Sequence, residues 1–210
     1  MPNLTLNGTE FYDAPKNGGT TVRMWARAAE GALDGFDGGR GYYNLVGIGL
    51  PSAWRDNVTR DPQFFRPGAA DALRWCIKRD PVDRFVSAYT DKILRERLAD
   101  WSVDDALGMI LDGTMATKAR SATPERGLAC HFLGQTWWFG PDPAFFHRVF
   151  DVTRMDEARA FCATEVFRCD LPDLHARRQA DSGIDKVTLS PDQRRRAETA
   201  HAADYEAGWH

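Results

Sequence analysis

Residues 10–33 constrain the fold most strongly, because they predict a strand, a glycine-rich turn and a helix in direct succession. Residues 10–13 form an extended apolar and aromatic run, and residues 14–21 supply two adjacent glycines. This order joins the end of a strand to the start of a helix, as in α/β folds. The helix is indicated by apolar residues at helical spacing, namely Val22, Trp25, Ala26, Ala29 and Leu33.

The turn has the composition of a phosphate-binding loop. The backbone N–H groups of a first helical turn are unpaired, and together with the positive end of the helix dipole they attract an anion. Gly18 and Gly19 allow the backbone to approach that anion, the threonines after them add hydroxyl groups, and Lys16 adds a positive charge. The alternative is an ordinary strand-to-helix turn with a surface lysine.

The order of these residues differs from a Walker A loop, in which the lysine follows the glycines. Pro-Lys-x-Gly-Gly-Thr-Thr instead resembles the loop with which sulfotransferases bind the 5′-phosphosulfate of 3′-phosphoadenosine 5′-phosphosulfate (PAPS). The resemblance implies that Lys16 stabilises the leaving phosphate and the sulfuryl oxygens. It also implies that the 5′-phosphate is bound by Pro15, Lys16, Asn17, Gly18, Gly19, Thr20 and Thr21.

Residues 72–89 contain a second motif. Residues 72–79 read as a short buried strand that ends in basic residues. Asp80 is predicted to cap the helix that follows, with Pro81 at its first position. Four-residue spacing predicts an inward apolar stripe on this helix, formed by Phe85, Tyr89 and Ile93.

Residues 77–89 are similar to the 3′-phosphate motif of sulfotransferases, in which Arg-x-Pro is followed by Arg, Ser and an aromatic residue. The resemblance implies that Arg79 and Ser87 bind the 3′-phosphate, and a guanidinium fork with a hydroxyl group suits that anion. The alternative is a capped helix whose Arg79 and Arg84 pair with nearby carboxylates. Two motifs in the family's order favour the sulfotransferase interpretation.

The catalytic base is predicted less directly. Sulfotransferases generally use a histidine or glutamate, which in several carbohydrate enzymes lies near the second strand, but residues 42–54 contain no His, Glu or Asp. Residues 131–135 read His-x-x-x-Gln and resemble a His-Trp-x-Pro-Gln segment of one carbohydrate branch, without its proline. His131 is therefore the candidate base, since histidine titrates near neutral pH. The alternatives are a His131 that only orients substrate, or a base among Glu10, Asp13 and Glu30, although Asp13 would equally serve to pair with Lys16.

Length, composition and charge limit the classes of protein to which the chain can belong. A chain of 210 residues is the size of one domain, so residues 1–210 are predicted to form a single sulfotransferase domain. The net charge of −3 argues against general binding to nucleic acid. No apolar run approaches the ~20 residues that span a bilayer, and no signal peptide is indicated, so a cytoplasmic enzyme is expected. The cysteines and histidines lack metal-ligand spacing, so no metal is expected, and free thiols are favoured over a Cys162–Cys169 disulfide.

Alternation of strands and helices predicts an α/β fold, specifically a P-loop-like three-layer α/β/α arrangement with a central parallel sheet. Both motifs then fall at the carboxyl ends of strands, where such sheets bind ligands. Residues 43–48 are predicted as a second strand and residues 112–127 as a polar loop. Helices are predicted to begin at Ser102 and Ser190, because both serines are followed by capping-box residues. The helix after Ser102 is predicted to turn its apolar residues inward, namely Val103, Ala106, Leu107, Ile110 and Leu111.

The chain is thus expected to be a PAPS-dependent sulfotransferase, most like the carbohydrate branch, with a hydroxyl of a saccharide or glycolipid as acceptor. An ATP-dependent P-loop-like kinase is the first alternative, but it requires an acidic residue where Lys78 and Arg79 stand. A nucleotide-binding relative without a catalytic base is the second. Trp137, Trp138 and Phe139 are read as adjacent aromatic residues of a strand, and either sugar stacking or core packing is expected of them. Either binding of an anionic acceptor or simple solvation is expected of Lys118 and Arg120.

Overall fold

The computed structural model describes residues 4–29, 31, 70–121, 125–174 and 184–210. The chain forms two compact units, each assembled from separate segments of sequence. The first unit combines Met1–Ala14, Gly18–Lys78 and Ala144–Asp181, and the second combines Pro15–Asn17, Arg79–Pro143 and Ser182–His210. The predicted strand at residues 43–48 lies outside the described residues.

The helices of the described ranges are numbered here in chain order. They are α1 (Gly19–Ala29), α2 (Pro81–Tyr89), α3 (Val103–Leu111), α4 (Thr114–Arg120), α5 (Glu125–Cys130), α6 (Thr136–Phe139), α7 (Met155–Phe161), α8 (Pro191–Ala200) and α9 (Ala202–Glu206). Two of them continue into π-helical segments, α2 into Thr90–Arg95 and α7 into Cys162–Val166. Short 3₁₀ turns lie at Pro143–Phe145 and Val152–Arg154.

The first unit contains a sheet whose described strands are arranged in sequence order: β1 (Leu4–Leu6), β2 (Thr9–Tyr12), β3 (Leu73–Lys78) and β4 (Arg148–Asp151). β1 pairs with β2 in antiparallel orientation, whereas β2, β3 and β4 run parallel. The parallel centre and the alternating helices confirm the predicted α/β class and are consistent with its three-layer form.

Aromatic packing fixes the strands of the first unit. Phe11 on β2 is paired in register with Trp75 on β3, and their ring centroids lie 4.3 Å apart. Trp25 on α1 is also buried, and its indole N–H donates a hydrogen bond to the carbonyl of Pro172 at 3.1 Å. Both tryptophans are almost fully removed from water, so each contributes a large apolar area to this core.

The second unit packs around the stripe predicted on α2. Phe85, Tyr89 and Ile93 are all buried, which confirms this prediction. The Phe85 ring stacks on that of Tyr89 at 6.2 Å and meets the ring of Phe132 edge-on at 5.8 Å. Trp209 near the chain end is buried as well, with its ring centroid 5.1 Å from that of Phe139.

The predicted helix starts are confirmed by their hydrogen bonds. Asp80 caps α2 by accepting the N–H of Asp83 at 2.9 Å, and Pro81 occupies the first helical position. Ser102 and Ser190 each form a complete capping box, at the starts of α3 and α8.

Other predictions were wrong. Residues 112–127 are not a polar loop, because they contain α4 and the start of α5, and Met115 and Ala119 bury one face of α4 at i, i+4 spacing. Leu111 was expected to face inward but is 44% exposed. Residues 137–139 form part of the short helix α6 instead of a strand.

All four cysteines of the chain carry free thiols, and burial raises the pKa of Cys76 and of Cys162 well above the usual value. In the part of the chain that the structure describes, no helix is both long enough and apolar enough to cross a bilayer.

We expect Gly19→Ala to destabilise the protein by about 1–3 kcal/mol, because overpacking against a fixed neighbour has costs of this size. A Cβ atom at Gly19 would overlap the carboxylate of Asp13, which an ion pair with Arg23 at 2.7 Å holds in place. Urea unfolding followed by circular dichroism measures the change.

The matched control is Gly108→Ala in the middle of α3. A Cβ atom there meets nothing within 4 Å, so this variant is expected to gain up to about 1 kcal/mol from helix propensity. Equal stabilities for the two variants would contradict the close approach at Gly19.

Candidate active site

The glycines of the predicted loop lie at the start of α1 in the first unit. Gly18 has φ = 89°, a left-handed conformation that favours glycine, and its carbonyl accepts the N–H of Thr21 at 2.8 Å. Gly19 is the first residue of α1, Thr20 is half-buried and Thr21 is buried. The sequence therefore places a glycine where the backbone turns sharply into a helix, as expected.

Asp13, one of the alternative bases, lies just before this turn and is buried. Burial raises the pKa of its carboxyl group, and the guanidinium of Arg23 opposes that shift. The ion pair with Arg23 and the contact with Gly19 give Asp13 a structural role at the start of α1. Glu10 is also buried, and Glu30 lies outside the described residues.

The remaining loop residues, Pro15–Asn17, belong to the second unit, where arginine side chains hold the backbone carbonyls. The Nε atom of Arg84 donates to the carbonyl of Pro15 at 3.0 Å. An Nη atom of Arg79 donates to the carbonyl of Lys16 at 3.1 Å. Lys16 itself has φ = 74°, a strained conformation for a residue with a side chain. These hydrogen bonds therefore fix the backbone at Lys16, the residue to which the family resemblance assigns a catalytic role.

Gln135 connects the two motifs within this unit. Its side-chain amide donates to the carbonyls of Arg79 and Trp209, both at 2.7 Å. Its side-chain oxygen accepts the N–H of Arg79 at 3.0 Å and the side-chain amide of Asn17 at 2.5 Å. Gln135 is fully buried, so these four hydrogen bonds replace its contacts with water. Its only sequence signal is its place in the His-x-x-x-Gln segment.

Asp204 positions Gln135 in turn. Its carboxylate accepts the backbone N–H groups of Gln135 at 2.7 Å and of Thr136 at 2.8 Å. Asp204 thus caps α6 from a distant part of the chain, which explains why residues 137–139 are helical. Gly134 is also required here, since a Cβ atom would lie 2.8 Å from the Asp204 carboxylate.

The side chain of Lys16 forms an ion pair with Asp91, with Nζ 2.7 Å from Oδ2. Asp91 lies in the π-helical segment after α2 and also contacts Lys92 and Arg95. In the sequence, Arg84, Ser87 and Asp91 stand at i, i+3 and i+7, which is the spacing of one helix face. Ser87 is half-buried on α2, and its predicted contact with the 3′-phosphate stays a prediction.

Arg84 is the most deeply buried cation of the described residues. Burial lowers the pKa of its guanidinium to about 10, Asp204 opposes this shift, and Arg79 adds to it. Arg84 is therefore still positively charged at neutral pH. Its two Nη atoms are buried without a hydrogen-bond partner in the described part of the chain. Unsatisfied donors on a buried cation are costly, so Arg84 adds an incompletely compensated positive charge to the interior of this unit.

His201 lies beside Arg84 and is 2% exposed. Burial and the neighbouring Arg84 lower the pKa of its imidazole to about 4, while Asp204 and Asp80 act in the opposite direction. The ring is neutral at physiological pH and packs near Phe85, with 6.5 Å between the ring centroids.

His131, the predicted base, lies one residue beyond α5 and is half-buried. Its backbone N–H donates to the carbonyl of Leu128 at 3.0 Å. It precedes Gln135 by four residues, but its role as a base stays a prediction. Further along, Arg120 lies over the ring of Trp137 at 4.6 Å, and Lys118 pairs with Glu125 at 2.5 Å.

The comparisons with known proteins identify the family. The model of the sulfotransferase family matches residues 52–203, which is well over half of the chain. The match contains Arg79, Ser87, His131 and Gln135, whereas residues 14–21 precede it. No curated protein and no solved structure matches the chain. The chain belongs to the sulfotransferase family, and sulfuryl transfer is therefore its class of reaction.

Within the ranges given above, no three His, Cys, Asp or Glu side chains are grouped in a way that would hold a metal ion.

We expect His201 to make stability depend on pH between about 6.5 and 4. The folded state disfavours protonation of this ring, so the unfolded state binds more protons in this window. Wild type should therefore lose on the order of 2 kcal/mol between pH 7 and pH 5 through this group. His201→Phe should lack that loss, and urea unfolding of both proteins at pH 7, 6 and 5 measures it. Equal losses in the two proteins would contradict the assignment.

Proposed function

We propose that this protein transfers the sulfuryl group of PAPS to a hydroxyl group of a saccharide or glycolipid acceptor. The observation that carries the proposal is the hydrogen bond from Arg79 to the carbonyl of Lys16. PAPS has phosphate groups at both its 3′ and 5′ positions, so a protein that binds it needs two anion-binding motifs close together. Arg79 and Lys16 are the central residues of the two motifs, and they are in direct contact.

The charges around this contact support an anionic donor. Lys16 and Arg79 are cationic, and the buried guanidinium of Arg84 holds the carbonyl of the preceding loop residue. A planar guanidinium binds phosphate oxygens with two parallel hydrogen bonds, and an ammonium acts as a point charge. Arg79 and Ser87 would bind the 3′-phosphate, and Lys16 with residues 17–21 would bind the 5′-phosphosulfate.

The reaction moves sulfur from one oxygen to another. A bond forms between the acceptor oxygen and sulfur, the bond from sulfur to the 5′-phosphate oxygen breaks, and the acceptor hydroxyl loses its proton. Such transfers depend on positioning and on stabilising charge at the leaving oxygen, as phosphoryl transfer does. We assign charge stabilisation to the ammonium of Lys16 and acceptance of the proton to a ring nitrogen of His131.

The acceptor side of the proposal rests on the aromatic residues that begin two positions after Gln135. Trp137 is half-buried, and Arg120 lies over its ring. A partly exposed indole offers an apolar face to a pyranose ring, and the guanidinium offers hydrogen-bond donors to its hydroxyl groups. These residues belong to the same unit as Arg79 and Lys16.

We expect adenosine 3′,5′-bisphosphate, the product form of the donor, to raise the melting temperature without added metal. A ligand that binds only the folded state stabilises it by RT ln(1 + [L]/Kd). Arg79→Ala should raise the Kd by about 10- to 100-fold, because it removes charge-assisted hydrogen bonds. Arg194→Ala, on the exposed face of α8, is the matched control and should bind as wild type does.

The same titration with ADP and with ATP plus magnesium distinguishes the alternatives. Stabilisation only by ATP with magnesium would favour a kinase, and no stabilisation by any of the three nucleotides would remove the nucleotide assignment. Normal bisphosphate binding by Arg79→Ala would contradict the role of this arginine alone.

We expect His131→Ala to lower kcat by about 10²- to 10⁴-fold, the usual contribution of a general base, without changing the Kd of the bisphosphate. The assay uses radiolabelled PAPS and the best acceptor from a panel of methyl and long-chain alkyl glycosides. His210→Ala at the exposed chain end is the control. Bisphosphate binding without transfer to any glycoside in wild type would contradict a saccharide acceptor, and an unchanged kcat in His131→Ala would exclude this base.

A further inference from the structure

We propose that Asp91 is a positioning residue that fixes the ammonium group of Lys16 for sulfuryl transfer. The inference rests on the proposed function, because it gives a role to a neighbour of the lysine assigned there. Nζ of Lys16 lies 2.7 Å from Oδ2 of Asp91, although the residues are 75 positions apart. The two side chains are only 18% and 10% exposed, so solvent screens this pair much less than it screens a surface ion pair.

The position of Asp91 on its helix matters for this role. It lies four residues after Ser87, in the π-helical segment Thr90–Arg95 that continues α2. π-Helical segments are uncommon and often occur at functional sites, because they change the direction of the side chains that they carry. The helix that carries Ser87, one of the two predicted 3′-phosphate residues, thus also holds the ammonium group assigned to the 5′ side.

The charges around Asp91 explain how it orients Lys16 without cancelling the attraction for an anion. The carboxylate is contacted by Lys16, by Lys92 at 3.3 Å and by Arg95. Three cations surround one anion, so the cluster keeps a net positive charge. A free lysine side chain has many rotamers, and restricting it to one costs conformational entropy. By restricting Lys16 in advance, Asp91 reduces the cost of ordering it in the transition state.

A positioning role predicts that kcat falls while binding of the bisphosphate is kept, which a purely structural ion pair would not predict. Asp91→Asn keeps the size of the side chain but removes a negative charge near the anion site. We expect the bisphosphate to bind equally well or up to about fivefold more tightly, because a repulsive charge is lost. We expect kcat to fall by about 10- to 100-fold, because the ammonium is no longer held in place.

A double-mutant cycle tests whether Asp91 acts through Lys16. If it does, Asp91→Asn should not lower kcat further in a Lys16→Met protein, since the group that it positions is absent. Glu96→Gln is the matched control: Glu96 directly follows the same segment and pairs with Lys92 at 2.7 Å. This variant should keep the wild-type kcat and bisphosphate Kd.

Asp91→Glu keeps the test decisive if Asp91→Asn does not fold. It retains the carboxylate but displaces it by one methylene, so kcat should lie between those of wild type and Asp91→Asn, with an unchanged bisphosphate Kd. Thermal unfolding of each variant is recorded alongside the kinetics. An unchanged kcat in the Asn or Glu variant, a parallel loss of binding and kcat, or additive effects in the cycle would each overturn the proposal.

The proposed function and this inference fail in different ways. If wild type does not bind the bisphosphate or transfer the sulfuryl group, the proposed function fails. If wild type does both and the Asp91 variants lack the expected separation of kcat from Kd, the inference about Asp91 fails by itself.

Discussion

The second unit depends on the hydrogen bonds made by Arg79, the residue directly after β3. Its backbone N–H and carbonyl both bond to the side-chain amide of Gln135, and its guanidinium bonds to the carbonyl of Lys16. The same amide binds Asn17 and the carbonyl of Trp209. Because Gln135 is fully buried, loss of any one bond leaves a polar atom unpaired away from water. The loop backbone, the residue after β3 and the chain end are therefore fixed together.

The second physical constraint is the burial of positive charge. Arg84 is fully removed from solvent and still cationic at neutral pH, and Lys16 and Arg79 lie close to the same loop. Carboxylates offset part of this charge, since Asp204 acts on Arg84 and Asp91 binds Lys16. Buried cations are expensive unless an anion accompanies them. A cluster of this kind suits a protein of the sulfotransferase family, whose reaction transfers an anionic group.

Much of the fold could be predicted from the sequence because its signals are local. The caps at Asp80, Ser102 and Ser190 need only residues within one helical turn, and all of them form. The stripe on α2 depends on spacing alone. The failures have a different origin: α6 begins where Asp204 caps it, although Asp204 lies 69 positions from Gln135. No local pattern records a hydrogen bond between residues so far apart, so the sequence at 137–139 favoured the wrong element.

The candidate site likewise combines features that can be read from the sequence with features that depend on long-range contacts. The sequence by itself determined which residues are candidates for the chemistry, because the two motifs and their family resemblance depend on residue type and order. Only the tertiary structure decided which partners hold these residues: Arg84 with the carbonyl of Pro15, and Asp91 with the ammonium of Lys16. An arginine and an aspartate on a helix are ordinary surface residues by pattern alone. Their roles arise from burial and from contacts across long stretches of chain, which exist only once the chain has folded.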